Sequence, residues 1–364
     1  VKPQRHASQI AQSKPDHDSE ARGWIVVTTI NPPTPAVRRL ADLRALGWSI
    51  VVVGDSKTPT DWQLEGVHYL SLADQAELFG KLSERIPLAH YSRKNLGYLY
   101  ALEHGADHIL ETDDDNDPYP GFSGGISRTV RGRLLRKDGW VNVYRHFTEA
   151  HIWPRGLPLS EIWETGTIVG TRTVDCLVQQ YLADEDPDVD AIYRLVIRRP
   201  CTFDPSAPPL ILEPECRSPF NSQNTLFFRE AFPLLYLPSH VSFRITDIWR
   251  SLVAQEVLWS HGHQVAFHTA TVAQRRNAHE LMDDFRQEID GYTRNAELAQ
   301  ILSRFRHSRA RGLNMSQTAR AMWEELIGSD VIPDSERDIL DSWFEYVDEA
   351  EGKRASSEAQ LSAE

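Results

Sequence analysis

The feature that most constrains this chain is the alternation of short β-branched runs with capped helices in its first third. Ile25-Val26-Val27-Thr28-Thr29-Ile30 is dense enough in β-branched residues to form a buried strand. Asn31-Pro32-Pro33 breaks it. Thr34 then stands as an N-cap with Pro35 at the first helical position, and Gly47 closes the helix. Residues 50–53 make the next buried strand, ended by Gly54-Asp55. Strand, helix and strand joined by short loops describe a parallel sheet covered by helices, an α/β fold. The pattern continues with a strand over 66–70 and a helix over 73–84. Ser92 caps a helix that runs to His104, with Leu96, Leu99 and Tyr100 on one face and Gly105 just past its end. A strand over 108–112 follows. Residues 141–147 and 225–228 read as further strands. Thr246 caps a helix over 247–259, and 264–267 reads as a closing strand.

The ends differ from this middle. Residues 1–20 are polar with few apolar anchors and read as a disordered arm. After Arg276 the strand pattern stops, and 277–305, 316–327 and 334–350 are charged and helical in pattern. The organisation is therefore an arm over 1–20, a sheet-bearing domain over 21–276 and a helical region over 277–364.

Composition removes several function classes. The net charge of -13 argues against unaided nucleic-acid binding, which needs clustered Lys and Arg. It leaves anionic substrates open, because a bound cation reverses the local field. Cys176, Cys201 and Cys216 form no C-x-x-C unit, so neither a disulfide framework nor a zinc site is expected. That usage fits a reducing compartment. The sequence shows neither an apolar leader nor a run of 18 apolar residues. The expectation is a cytoplasmic protein, with peripheral membrane contact left open.

The most informative stretch is Asp113-Asp114-Asp115-Asn116-Asp117-Pro118. Carboxylates at the end of a buried parallel strand sit where open α/β sheets bind ligands. Three adjacent Asp residues repel one another unless a cation offsets them, and hard oxygen donors favour Mg²⁺ or Mn²⁺. Such an ion, held by one or two carboxylates, would bridge two phosphates. A solvated acidic turn is the competing reading. A calcium loop fails, because Pro118 stands where that loop needs Gly and Gly124 where it needs Glu.

Arg93-Lys94-Asn95-Leu96-Gly97-Tyr98-Leu99-Tyr100, then His104-Gly105-Ala106, then Glu111 through Asp117 together resemble the central block of the STELLO family of glycosyltransferases. Asn31-Pro32-Pro33-Thr34, Pro219-Phe220-Asn221-Ser222-Gln223-Asn224-Thr225 and Phe243-Arg244-Ile245-Thr246-Asp247-Ile248-Trp249-Arg250 are similar too. The resemblance covers roughly residues 24–290. It implies a GT-A fold, that is, a Rossmann-like, mostly parallel central sheet, here with a C-terminal helical extension. It also implies transfer of a sugar from a nucleotide sugar, a UDP-sugar first, to a glycan or lipid-linked acceptor.

On that reading Asp113 and Asp115 hold the Mn²⁺ or Mg²⁺, with Asp114 beside them. Thr28, Thr29, Asn31 and Asp55 hold the base and ribose, although Asp55 after Gly54 reads equally as a turn residue. Arg93, Lys94 and Asn95 open a helix whose N-terminal amides suit phosphate; a solvated first turn explains them equally well. Asp247, in the first turn of its helix, is the candidate base for the acceptor hydroxyl, giving inversion, or else serves the helix start. Arg244 is a candidate diphosphate grip. His268, after the closing strand, is a candidate third metal ligand, against the simpler reading of an ordinary histidine. Gln274-Arg275-Arg276-Asn277 reads as a loop over the donor phosphates or as a solvated basic turn. Arg145, His146, Trp153, Trp163 and Tyr193 are candidate sugar contacts or packing residues. The rival functions are a sugar-nucleotide mutase, a nucleotidyltransferase, and a non-catalytic scaffold of a polysaccharide-making complex.

Overall fold

A computed structural model describes residues 22–361 apart from 123, 198 and 277–279. The expected arm over 1–20 lies outside the described residues, as does Asn277 of the basic loop. The first four strands are β1 (Gly23–Thr29), β2 (Trp48–Gly54), β3 (His68–Leu70) and β4 (His108–Asp113). They pair in parallel in the order β3-β2-β1-β4. Helices α1 (Pro35–Asp42), α2 (Leu72–Arg85) and α3 (Lys94–Glu103) connect them. This is the α/β pattern that the sequence implies.

Local chemistry explains these elements. Ile25, Val26 and Val27 are all buried, because helices cover both faces of β1. Thr34 caps α1 by accepting from the Val37 amide, and Pro35 sits at its start. Ser71 and Asp74 form a reciprocal capping box on α2. Helix α3 is buried along nearly its whole length. It lies close on the sheet because Gly97 has no side chain: a Cβ there would meet Val26 and Val53 methyl groups at 2.7 Å. Ser92 does not cap α3; it belongs to a 3-10 turn, Tyr91–Arg93, whose own amide is capped by His90.

The rest of the sheet comes from β5 (Asn116–Pro118), β6 (Thr129–Arg136), β8 (Thr167–Asp175), β9 (Val178–Asp184), β10 (Leu210–Leu212), β12 (Asn224–Phe228) and β13 (Val265–Gln274). Strands β7 (Gly139–Trp140) and β11 (Cys216–Arg217) form a separate pair. The sheet order is β3-β2-β1-β4-β12-β9-β13-β10-β6-β8, with β5 on β13. Strand β12 runs antiparallel to both β4 and β9, while β13 is parallel to β9. Hence β1, β2, β4, β9 and β13 all point the same way, and their carboxyl ends share one rim with the start of β12. The expected strand over 141–147 is absent: Val143–His146 is a 3-10 turn. Its apolar residues are buried all the same, and the Asn142 side chain satisfies the carbonyls of Ile152 and Ile162 at 2.8 Å each.

Helix α4 (Ala191–Val196) is short. Helix α5 (Thr246–Ser260) is buried through almost every residue. Thr246 is its first residue rather than its cap, and the Thr246 hydroxyl donates to the Pro238 carbonyl at 2.7 Å. Helices α6 (Leu281–Arg309), α7 (Met315–Gly328) and α8 (Arg337–Leu361) follow. They do not form a separate core. Leu298, Trp323 and Trp343 belong to the same buried cluster as Val26, Leu96 and Trp249. Among the described residues no helix is long and apolar enough to cross a membrane.

Candidate active site

The shared rim opens into a cavity of about 430 Å³. Residues from the ends of β1 and β2, the turn after β4, the start of β12 and the end of β13 line it. Thr28, Thr29, Asn31, Asp55, Arg93, Asp113, Asp114, Asp115, Arg244 and Asp247 all reach it. Lys94, Asn95 and His268 are not among its lining residues.

The three aspartates divide their roles. Asp114 is buried and turned toward β1, where it accepts from the Thr29 hydroxyl and from Asn31 Nδ2 at 3.0 Å. Thr34 donates to its carbonyl. Burial pushes the Asp114 carboxyl up, against the pull of those donors. This residue ties the acidic turn to the β1 loop. Asp113 accepts from the Tyr91 hydroxyl at 2.7 Å and lies 3.5 Å from Lys94 Nζ. Lys94 is wholly buried beneath it, donating to Tyr91, Thr112 and Ser222 oxygens at 2.7, 2.8 and 3.2 Å. Burial and the neighbouring Asp113 hold Tyr91 well above its usual range, so it remains a donor. Asp115 accepts from Gln274 Nε2 at 3.2 Å, and its carbonyl accepts the Arg275 amide at 3.0 Å. Asp113 and Asp115 thus offer hard oxygen donors to the cavity from two side chains.

A divalent ion fits this set only in the form that uses one or two carboxylates and completes its shell with phosphate and water. Among the described residues there is no group of three or more His, Cys, Asp or Glu that could hold an ion unaided. His268 cannot join the pair. It lies six residues before Gln274, but β13 is bulged twice in that stretch, so the separation along the strand is about 13 Å. There it stacks on Tyr181 at 4.5 Å and meets Gln179 at 3.1 Å, and burial pulls its pKa down to about 4.

Two more expectations are corrected. The Arg93 guanidinium is buried and bonds Gln75, the Ser83 hydroxyl and the Ser83 and Ile86 carbonyls, so it fastens α2 rather than a phosphate. Asn95 exchanges two hydrogen bonds with the Leu237 backbone, at 2.8 and 2.9 Å, and is likewise spent on the fold. Asp55 lines the cavity and also accepts from the Ser56 and Ala89 amides.

The opposite wall is a chain of buried charges. Arg155 donates to both oxygens of Asp247 at 3.0 and 2.9 Å and pairs with Asp188 at 2.7 Å. Asp247 also accepts from the Ser222 amide and hydroxyl, both at 3.1 Å. Burial alone would raise Asp247 and Asp188; the Arg155 guanidinium outweighs it and holds both below the usual carboxylate range. Arg244 pairs with Glu288 at 2.8 Å, so it reaches the cavity already neutralised.

Arg155, Asp188 and Tyr91 escape sequence reasoning. No motif surrounds Arg155, whose partner Asp247 is 92 residues away. Of the candidate sugar contacts, none lines this cavity. Trp153 is buried and donates to Asp190 at 2.6 Å, His146 meets the Thr165 carbonyl at 2.7 Å, and Trp163 is exposed and stacks on His151.

Residues 244–351 match the family model described as STELLO glycosyltransferases. This stretch includes Arg244, Asp247, the whole of α5 and β13, and most of the helical region. The probable glycosyltransferase STELLO2 of Arabidopsis thaliana is 32% identical over 278 residues, which cover 68% of this chain and 35% of the relative. The probable glycosyltransferase STELLO1 of the same plant is 31% identical over 287 residues, 71% of this chain and 36% of the relative. The chain thus spans about a third of the length of these relatives. The GT-A-like sheet, the acidic turn on its rim and this likeness make the chain a STELLO-like family member.

Proposed function

We propose that the rim cavity transfers a sugar from a nucleoside diphosphate sugar, a UDP-sugar first, to a hydroxyl of a glycan or lipid-linked acceptor. The observation that carries this reading is the division of the acidic turn. Asp114 is tied to β1 while Asp113 and Asp115 are held toward the cavity by Tyr91, Lys94 and Gln274. Thr28, Thr29, Asn31 and Asp55 lie at the β1 and β2 ends, the side suited to base and ribose. An Mn²⁺ or Mg²⁺ bound by Asp113 and Asp115 would neutralise charge on the departing diphosphate.

In the reaction the acceptor oxygen bonds to the anomeric carbon as the bond to the diphosphate oxygen breaks, and the hydroxyl proton leaves. Asp247 is the proposed base for that proton, which would invert the anomeric centre. Its position is fixed by Arg155 and Ser222, and against the effect of burial Arg155 lowers its proton affinity. The bidentate grip of Arg155 also favours a second reading, in which Asp247 positions Arg155 as a wall and another group takes the proton. Asp247→Asn separates the two. Turnover falling about 10²–10⁴-fold with donor affinity unchanged supports the base; near wild-type turnover supports the wall.

The test of the whole reading is incubation of the chain with a panel of sugar nucleotides and Mn²⁺. Release of nucleoside diphosphate supports glycosyl transfer. Interconversion of the sugar without release points to a mutase, and release of pyrophosphate on adding a nucleoside triphosphate and a sugar phosphate to a nucleotidyltransferase. Absence of both turnover and donor binding points to a scaffold.

A further inference from the structure

A second cavity, of about 870 Å³, lies against the first and shares Gln274 and Arg276 with it. Its arginines are Arg194, Arg199, Arg275 and Arg276; its carboxylates are Glu185, Asp186 and Glu280. Arg194 is closed on Asp186, and Arg275 is held only at 3.9 Å by Asp117. A groove richer in arginine than in carboxylate runs against the field of a chain whose net charge is -13. Tyr193, one of the aromatic residues marked as a sugar contact, lines this groove rather than the first cavity.

Arg276 stands at the junction. Its Nε is buried and has no hydrogen-bond partner among the described residues. Burial and the neighbouring Arg244 and Arg194 pull its pKa down to about 10, with Asp188 and Asp186 acting the other way. Arg155 and Arg244, the other deep guanidiniums of the site, have their carboxylates in hand. Arg276 is half-buried, with its Nε sealed from solvent and unpartnered, so a guanidinium beside two other arginines here favours an anion arriving next to it.

We propose that the second groove is the acceptor subsite, and that the acceptor is a saccharide bearing a carboxylate or phosphate, which Arg276 receives where the groove opens into the first cavity. The inference rests on reading the first cavity as the donor site. An extended acceptor would lie along Tyr193 and Arg199 and present its hydroxyl past Gln274.

The full chain is titrated with trigalacturonate, its neutral methyl ester, glucose 6-phosphate and glucose, each at low and high salt, and separately with UDP and Mn²⁺. The expected result is that an anionic probe binds at least tenfold tighter than its neutral counterpart and weakens with salt. Which anionic probe binds tells a carboxylate from a phosphate. Arg276→Gln should weaken that probe about tenfold, Arg276→Lys should recover most of the loss, and both should keep UDP affinity and melting temperature. Equal affinity for anionic and neutral probes would overturn the proposal. So would an Arg276→Gln defect confined to UDP, which would give Arg276 to the donor diphosphate. Failure of UDP to bind the wild-type chain would strike the donor reading instead; Arg276-dependent probe binding would still support the groove's ligand class.

Discussion

Arg155→Met is the change with the largest calculable consequence at the site. Arg155 is buried and serves two buried carboxylates, Asp188 and Asp247. Removing one partner of a buried ion pair costs about 3–5 kcal/mol, because the other charge is left uncompensated. Two such losses do not add in full here. Asp247 keeps its two Ser222 donors at 3.1 Å, and Asp188 keeps Arg244 at 3.9 Å. A net loss of about 4 kcal/mol at neutral pH is expected. The pH dependence follows from the directions of the shifts. In the wild type both carboxylates titrate below their unfolded value, so their contribution is present above about pH 4 and is lost as pH falls through the folded values. Without Arg155, burial governs and raises both, so the variant loses stability as pH rises above about 4. The deficit should therefore be larger at pH 7.5 than at pH 5. Urea unfolding followed by tryptophan fluorescence at the two pH values measures it. Adding Asp247→Asn to Arg155→Met should recover about 1 kcal/mol or more at pH 7.5 by removing a stranded charge. A deficit below about 1 kcal/mol at pH 7.5, or one equal at both pH values, would refute this reasoning.

Three further outcomes are expected. Gly97→Ala places a methyl group 2.7 Å from Val26 and Val53 and should lower stability by about 1–3 kcal/mol in chemical unfolding, without a polar change at the site. Asp114→Ala should destabilise the fold by about 1–3 kcal/mol through loss of the Thr29 and Asn31 bonds, whereas Asp115→Ala should melt close to wild type and lose cation-dependent donor binding. A chain ending before α8 should be recovered insoluble, because it exposes the surface under Ile339, Leu340, Trp343, Phe344 and Val347; a soluble, donor-binding product would show that the other helices suffice.

Much of the first half of the sheet was legible in the sequence because its signals are local. The β-branched runs of β1 and β2, the Thr34 cap and the Asp run after β4 each sit within a few residues of one another. The region between Pro118 and Leu212 was opaque for the opposite reason. Strand β6 carries three arginines, and β8 is an exposed edge strand, so neither shows the apolar signature of burial. The apolar residues around 141–147 suggested a strand, yet they are buried by a turn whose polar groups are satisfied through Asn142. Arg93 and Lys94 looked alike at a helix start; only the tertiary structure separates a clamp on α2 from a cation under Asp113. His268 failed because β13 continues to Gln274, well beyond where the apolar pattern ends at Phe267. The Arg155 wall depends on partners 33 and 92 residues distant, which no local spacing reveals.

The proposed function stands on a nucleoside diphosphate held in the rim cavity through a cation on Asp113 and Asp115. Calorimetric titration of the chain with UDP, with and without Mn²⁺, and of Asp115→Ala under the same conditions, tests it most directly. UDP binding is expected to require Mn²⁺ in the wild type and to be lost in Asp115→Ala at unchanged melting temperature. Mn²⁺-independent binding, or binding that survives in the folded Asp115→Ala variant, would contradict it.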